Sequence, residues 1–482
     1  MPQKKTLSNL VPVSTLALAL STVLSLWTFI SGPSINTDGV IYLKTARGFI
    51  DAGFSGALQV YGWPFYSMLI AAVAQLGVTL DTAAALINVL LFAALAWAFV
   101  AVVELLYPKQ KNIHYLASAI ILLEPYLNSL RGSFFRDSGH LAFTLTSLVA
   151  LLQYANTRRI GLLVTWVLAT LVATLFRPEA VLLLPAGIIA LAYHRPSWKF
   201  GALAIAFTIC CAVILFLMQR YAPTSRIIDV IGWWNFYSSD FGNTFSRKAA
   251  LLERTVLGDF SDNGRESLLA ALVVTVIAAV VGVITPIYAV VLWVRRKNIF
   301  ISSPIHKKII WAYAIAALIP SLLFVAFAYF LSQRYVTAFA LILLLLVPQL
   351  LIDIFYSMRN RAARISFAVL LVLIFSVASY RNLRSETELK DAGVWLANQS
   401  GSVWTNSIPI NYYLESKNPD RALVIKDQSM AKSSMEAIDT EWVALVIARR
   451  DQAKVPLILE QLHGVEQKRF DGSGRFVIII KR

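Results

Sequence analysis

The feature that most constrains this chain is a series of long apolar runs, at about 10–30, 81–106, 113–129, 137–155, 160–176, 178–193, 199–219, 269–294, 308–331, 335–356 and 364–380. Most approach the roughly 20 residues that an α-helix needs to cross a bilayer. In hydrocarbon the backbone must satisfy its own hydrogen bonds, so such runs fold as helices. The expectation is a polytopic α-helical membrane protein with about eleven transmembrane helices. Composition agrees: 58% of the residues are hydrophobic and 15% charged, against about 25% charged in soluble domains. That excludes a soluble enzyme, a disordered chain and a disulfide scaffold. The two cysteines, Cys210 and Cys211, are adjacent within an apolar run and match no metal spacing, so they read as small packing residues.

Lys4 and Lys5 precede the first run. That run is longer than the 7–15 residues of a signal-peptide core and no A-x-A site follows, so it reads as a membrane helix that stays. The segment 63–77, opened by Trp63-Pro64 and closed by Gly77, either spans or lies in the interface. Charge decides between the two. If it lies flat, the loops 107–112, 156–159, 194–199, 295–308 and 357–364 fall on one side, rich in Lys and Arg and free of Asp and Glu. The positive-inside rule then puts the N-terminus and these loops in the cytoplasm. On this reading the net charge of +16 is a topology signal, and no nucleic-acid partner is expected. The outer face receives 31–80, 130–137, the turn at Arg177, 220–268, the turn at Arg334 and everything after about 381.

The organisation expected is a transmembrane domain over 1–384, with outer loops 31–80 and 220–268, and a small soluble α/β domain over 385–482. In that tail 386–399 and 452–463 read as helices, and 403–405, 422–425, 442–448 and 475–480 as strands.

Candidate chemistry gathers on the outer face. Asp38 follows Pro33 and Asn36 and precedes apolar residues at helical spacing, so it reads as an N-cap or as a general base at the membrane surface. Leu130–His140 carries Arg131, Arg136 and Asp137: a self-neutralising pair at a helix end, or a phosphate clamp of forked guanidinium donors. His140 reads as a hydrogen-bonded structural residue or an acid. Arg177-Pro178-Glu179 places an ionisable pair between two apolar runs; Pro178 suits a helix start with Glu179 in its first turn, and the pair is equally a functional candidate. Arg334 before Tyr335 either snorkels or binds a lipid phosphate. Residues 220–268, with Trp233, Trp234, Phe236, Tyr237 and several bases, read as a membrane-resting loop or a gate.

Together these pieces resemble the GT-C superfamily of membrane glycosyltransferases. Within it the chain looks like the bacterial members of family 39, which include protein O-mannosyltransferases and the aminoarabinose transferase of lipid A. The resemblance rests on Asp38-Gly39 with Tyr42, on Tyr61–Gly77 with Trp63-Pro64-Phe65-Tyr66, and on the outer arginines. Arg177-Pro178-Glu179, Arg334-Tyr335 ahead of Pro348, and a tail beginning near Ala392-Gly393-Val394-Trp395-Leu396 complete it. It covers most of the chain through short motifs whose order and common side carry the likeness. The resemblance implies a polyprenyl-phosphate sugar donor, inverting transfer, and a lipid, glycan or protein acceptor. It implies a bacterial inner membrane with the tail in the periplasm. Asp38 would take the acceptor proton. Arg334 and Arg177, then Arg131, Arg136 and Lys44, would hold the donor phosphate. Tyr42, Asp137, Glu179 and Tyr335 would bind or orient the acceptor. Where many relatives have two adjacent acids, this chain has Asp38-Gly39. No cofactor is demanded, though one or two outer carboxylates would suit a weakly held Mg²⁺ or Mn²⁺. The rival readings are a transporter or flippase of a lipid-linked glycan, which needs ionisable groups at mid-membrane, and a non-catalytic membrane scaffold.

Overall fold

The computed structural model describes residues 11–32, 35–194, 232, 235–258, 263–382, 387–417, 422–424, 440–472 and 474–482. The apolar run 199–219, both cysteines, Lys4, Lys5, Trp233 and Trp234 lie outside them.

Helices α1 (Val13–Ile30) and α4 (Leu80–Leu106) pack antiparallel. Ser14 donates from its backbone N–H and its hydroxyl to Glu104 at 3.1 and 2.9 Å, and the Ser21 hydroxyl donates to the Phe92 carbonyl at 2.9 Å. The end of α1 and the start of α4 therefore share one end of the bundle. The two helices between them, α2 (Thr37–Val60) and α3 (Phe65–Ala74), leave and return at that end without crossing. A single crossing by 63–77 would have put the start of α4 at the opposite end of the bundle from the end of α1. Helix α2 is kinked at Ala52-Gly53, where Gly53 has φ +63°, a conformation that glycine adopts without a Cβ clash.

The chain then runs back and forth through α5 (Lys111–Leu123), α6 (Pro125–Arg131), α7 (Asp137–Thr157), α8 (Ile160–Phe176), a 3₁₀ turn over Pro178–Leu182 and α9 (Leu183–His194). Glu124-Pro125 breaks the run expected as one segment at 113–129 into α5 and α6, because proline cannot continue the helical ladder. After α10 (Phe241–Leu252) come α11 (Gly264–Val294), α12 (Pro304–Ala328), α13 (Gln333–Leu344), α14 (Val347–Ser357) and α15 (Arg361–Asn382). Among the described residues five helices are long and apolar enough to cross a membrane; α13 and α14, bent by 46°, make a sixth if taken as one span. The sequence expectation of about eleven crossings also counts segments that fall below this length here, such as α5 and α8, and the run outside the described residues.

The bundle has two distinct ends. At one, Asn112 donates to the Tyr356 hydroxyl, His306 meets Asn156 at 2.9 Å, and the Lys308 ammonium lies 4.2 Å from the Tyr193 ring. This end gathers the basic loops. Mid-bundle, the Trp166 indole N–H donates to the Tyr313 hydroxyl at 2.7 Å, which also meets Ser147 at 3.1 Å. This knot satisfies buried polar groups of α7, α8 and α12. The other end carries Asp38, Asp137, Arg177 and Arg334.

The tail is a five-stranded sheet in the order β2-β1-β3-β5-β4: β1 (Val403–Thr405), β2 (Ala422–Val424), β3 (Trp442–Ala448), β4 (Val465–Asp471) and β5 (Arg475–Lys481). Strands β2, β1 and β3 are parallel, and β5 is antiparallel to both β3 and β4. Alternation along β3 sorts its side chains. Trp442 and Ala444 face Leu389, Leu396 and Ile410 of α16 (Glu388–Ala397) and α17 (Ile408–Lys417), while Val443, Leu445 and Ile447 face Val455 and Leu462 at the two ends of α18 (Val455–Gln461). The sequence reading lacked α17 and β4. Pro409 disguises the first, and the second, VEQKRFD, has the charged composition of an edge strand.

Helix α17 docks the tail. Tyr413 is buried in the cluster that holds Tyr42, Tyr66 and Ile70. Lys44 pairs with Glu415 at 2.6 Å, and the Tyr412 hydroxyl donates to Asp81 at 3.1 Å. Burial, then the Asp81 charge, pushes the Tyr412 phenol well above its usual range.

Candidate functional site

Three helices begin at one place: α2 at Thr37, α7 at Asp137 and α13 at Gln333. None of the three has a side-chain cap. Their free N–H groups and aligned dipoles favour negative charge there. They surround a cavity of about 210 Å³ lined by Asp38, Ile41, Tyr42, Tyr61, Arg136, Asp137, Arg177, Arg334 and Tyr335. Seven of the ten residues singled out from sequence meet in this one space. Glu179 lies behind Arg177 and lines a small adjoining space of about 20 Å³ with His140. That space reaches between α9, α12 and α13.

Asp38 is the second residue of α2, two residues in from the N-cap position that the N-cap reading gave it; Asn36 takes that place. Its carboxylate accepts from Arg334, which is second in α13 and stacks over Phe135 at 4.8 Å. Gly39 lets the first turn of α2 pack closely on Phe134. A Cβ there would lie 2.8 Å from the Asn36 amide oxygen and 3.2 Å from Phe134 Cβ. A second acid in place of Gly39 would meet the same wall, so the single carboxylate is a packing consequence.

Arg177 is the hub. It donates to Asp137 and, at 2.9 Å, to Glu179, and it stacks on the Tyr335 ring at 4.8 Å. Its own loop is pinned by Trp63, whose indole N–H donates to the Leu175 carbonyl at 2.6 Å. Gly139 lets the neighbouring Phe176 ring pack directly on α7, since a Cβ there would fall 2.3 Å from the ring. The Arg–Asp pairing expected within 131–137 does not form: Asp137 takes its partner from the start of the next helix pair instead.

Arg136 differs from the other two arginines. It stacks over Tyr61 at 5.6 Å, forms no ion pair among the described residues, and its buried Nη1 has no hydrogen-bond partner. Tyr42 packs edge-on to Tyr61 and Tyr66, at 5.6 and 5.3 Å.

Two sequence candidates lie elsewhere. Arg131 points away from the cavity, between α1 and α6, where it donates to Asn128, to the Ser21 carbonyl and hydroxyl, and to the Ser25 hydroxyl. Lys44 is taken by Glu415 of the tail. Tyr61 and Ile41 line the cavity without having been singled out as site residues; Tyr61 stood only within a motif. Among the described residues no three His, Cys, Asp or Glu side chains converge as a metal set. Asp38 and Asp137 are each held by an arginine, a donor set that does not fit a divalent cation.

In the 220–268 segment, Phe236 packs edge-on to Phe327 at 4.9 Å, Tyr237 donates to the Leu323 carbonyl, and the Lys248 ammonium sits 3.9 Å from the Tyr329 ring. These contacts rest α10 and the turn before it on the site end of α12.

No family model matches the chain, and no curated protein matches it. Among solved structures it is similar to the crystal structure of ArnT from Cupriavidus metallidurans in the apo state, with 11% identity over 96% of this chain and 97% of that one and a TM-score of 0.46. A likeness of that strength carries no argument about function.

Proposed function

We propose that this protein is an integral membrane glycosyltransferase of the GT-C type. It moves a sugar from a polyprenyl-phosphate donor to an acceptor hydroxyl at the outer, periplasmic face of a bacterial inner membrane. The observation that carries the reading is the composition of the cavity at the three helix starts: a carboxylate, Asp38, and a cluster of arginines that includes Arg136, which forms no ion pair among the described residues, at the end of an apolar bundle. A lipid phosphate needs guanidinium donors at the membrane boundary, and a hydroxyl nucleophile needs a base opposite them.

The chemistry follows from these parts. The acceptor oxygen attacks the anomeric carbon while its proton passes to the Asp38 carboxylate. The bond from that carbon to the phosphate oxygen breaks, and the polyprenyl phosphate leaves with the electron pair. Attack from the side opposite the leaving group inverts the configuration. Arg136 and Arg334 stabilise the charge on the departing phosphate, which is where preorganised donors contribute most. With no donor bound, Arg334 holds Asp38. A phosphate competing for Arg334 frees the carboxylate to act as base. Arg177 is held by Asp137 and Glu179 and serves to fix the geometry. Tyr42 and Tyr335 orient the sugar between these groups.

The test is sugar transfer from a radiolabelled polyprenyl-phosphate donor in membranes holding the wild type or Asp38→Asn at matched expression. Loss of about 10²–10⁴-fold in the variant, with donor binding retained, is expected of a general base. Equal transfer by both would remove Asp38 from the mechanism. No transfer by either, across a panel of donors and acceptors, would overturn the reading and favour transport or a scaffold.

A further inference from the structure

A larger cavity, of about 510 Å³, lies between the tail and the membrane bundle. Its tail wall is built by Asn406 and Ser407, which directly follow β1, by Val446 near the end of β3, and by Arg475 at the start of β5. Its bundle wall is built by Asn36, Thr37 and Ser133.

The position follows from the sheet's connections. From β1 the chain passes through α17 to β2 on one side; β3 then pairs on the other side of β1, and all three strands are parallel. The strand order therefore reverses between β1 and β3. In open α/β sheets ligands bind in the crevice outside the carboxyl ends of the strands at such a reversal. The cavity occupies that crevice, and its volume lies within the range of about 300–1,000 Å³ usual for small-molecule sites.

The lining carries amides and hydroxyls rather than free charge. The charged side chain there, Arg475, is bonded to Glu388 at 2.7 Å. Asn406 is held rigid by the Val446 backbone, accepting from its N–H at 3.0 Å and facing its carbonyl at 3.4 Å. The Oδ1 of Asn36 is buried against Gly39, so the polar groups offered to a ligand are those of Asn406, Ser407, Thr37 and Ser133. Thr37, on the bundle wall, precedes Asp38 in the same helical turn.

We propose that this cavity is the acceptor subsite, and that the acceptor is an uncharged, hydroxyl-rich group: a neutral saccharide whose reacting hydroxyl reaches Asp38 past Thr37. The inference rests on the transferase reading above for its role, and on the cavity alone for its ligand. A phosphorylated or carboxylated acceptor would find no free cation among the described lining residues.

The experiment measures binding separately from transfer. The full-length protein in nanodiscs is titrated with neutral oligosaccharides of two to four units, with their phosphorylated counterparts, and separately with polyprenyl phosphate. Ser133→Tyr fills the cavity, and Thr37→Val removes one hydroxyl at nearly constant volume. The expected result is saturable binding of at least one neutral oligosaccharide, weakened tenfold or more by Ser133→Tyr and several-fold by Thr37→Val, with polyprenyl-phosphate affinity unchanged in both. Unchanged polyprenyl-phosphate binding also shows that each variant is folded; if Ser133→Tyr loses it, Thr37→Val decides. Equal saccharide binding by wild type and variants, a preference for the phosphorylated series, or no saccharide binding would overturn the proposal. Saccharide binding that depends on the cavity without any polyprenyl-phosphate binding would instead defeat the transferase reading and leave the subsite standing.

Discussion

Replacing Arg177 and Arg136 in turn separates structural charge from functional charge. The two arginines line the same cavity, yet their surroundings predict opposite outcomes. Arg177 is 6% exposed and neutralises Asp137, 4% exposed, together with Glu179. Arg177→Ala leaves two carboxylates in a water-poor site without their cation. Removing one partner of a buried ion pair costs about 3–5 kcal/mol, and Arg177→Lys recovers only part because an ammonium lacks the fork that reaches both acids. Arg136 forms no direct ion pair among the described residues, and its charge acts on Asp137 and Glu179 more weakly than that of Arg177. Its described contact is the Tyr61 ring, worth about 0.5–1 kcal/mol, so Arg136→Ala shifts stability by no more than about 1 kcal/mol. On the proposed function, Arg136 instead holds the donor phosphate. Hydrogen bonds to charged groups contribute about 1.5–3 kcal/mol, so Arg136→Ala weakens polyprenyl-phosphate binding by roughly 10- to 150-fold. Thermal unfolding in detergent and equilibrium binding of polyprenyl phosphate read the two quantities. If Arg136→Ala unfolds as readily as Arg177→Ala, or binds polyprenyl phosphate as tightly as the wild type, this division of labour is wrong.

Other substitutions probe the same geometry. Gly139→Ala drives a methyl into the Phe176 ring and should cost about 1–3 kcal/mol of stability as overpacking does; Phe176→Leu in the same chain should recover part of it on the same unfolding curve. Lys44→Ala breaks a half-exposed ion pair of the kind worth about 0–1 kcal/mol, so it should leave polyprenyl-phosphate affinity within about twofold in a binding titration. Arg131→Ala takes the donor away from the Asn128 amide oxygen, the Ser21 carbonyl and the Ser25 hydroxyl and should lower stability by about 1–3 kcal/mol, while the protein that remains folded binds polyprenyl phosphate normally.

Much of this arrangement is legible in the sequence because the membrane makes it so. A bilayer forces long apolar runs into helices, and the few ionisable residues between them stand out against that background. Asp38, Asp137, Arg177, Glu179 and Arg334 were visible for this reason, and alternating sidedness brought them to one end. Which arginine of a short turn faces inward was not visible. Arg131 and Arg136 lie five positions apart, but Arg131 ends α6 and turns toward α1, whereas Arg136, past an intervening turn, stands at the N-cap of α7 and faces Tyr61. Ion pairing was equally opaque, because Asp137 finds its partner 40 residues away. In the tail, α17 was hidden by its proline and β4 by its charges, features that mark a loop locally and are overridden by docking and by pairing with β5. The cavity between the two halves depends on both at once, so neither half of the sequence announces it.

The docking of α17 bears on inheritance. The helix that seats the tail on the bundle touches Lys44 and Asp81, and Lys44 lies less than two turns from Asp38 on the same helix. Tail and first loop are thus written in distant stretches of the chain but form one packed unit through Tyr413, Tyr412 and Glu415. A chimera that exchanged residues 387–482 alone would have to rebuild these contacts on the resident 35–81 segment, whereas exchanging both together keeps them.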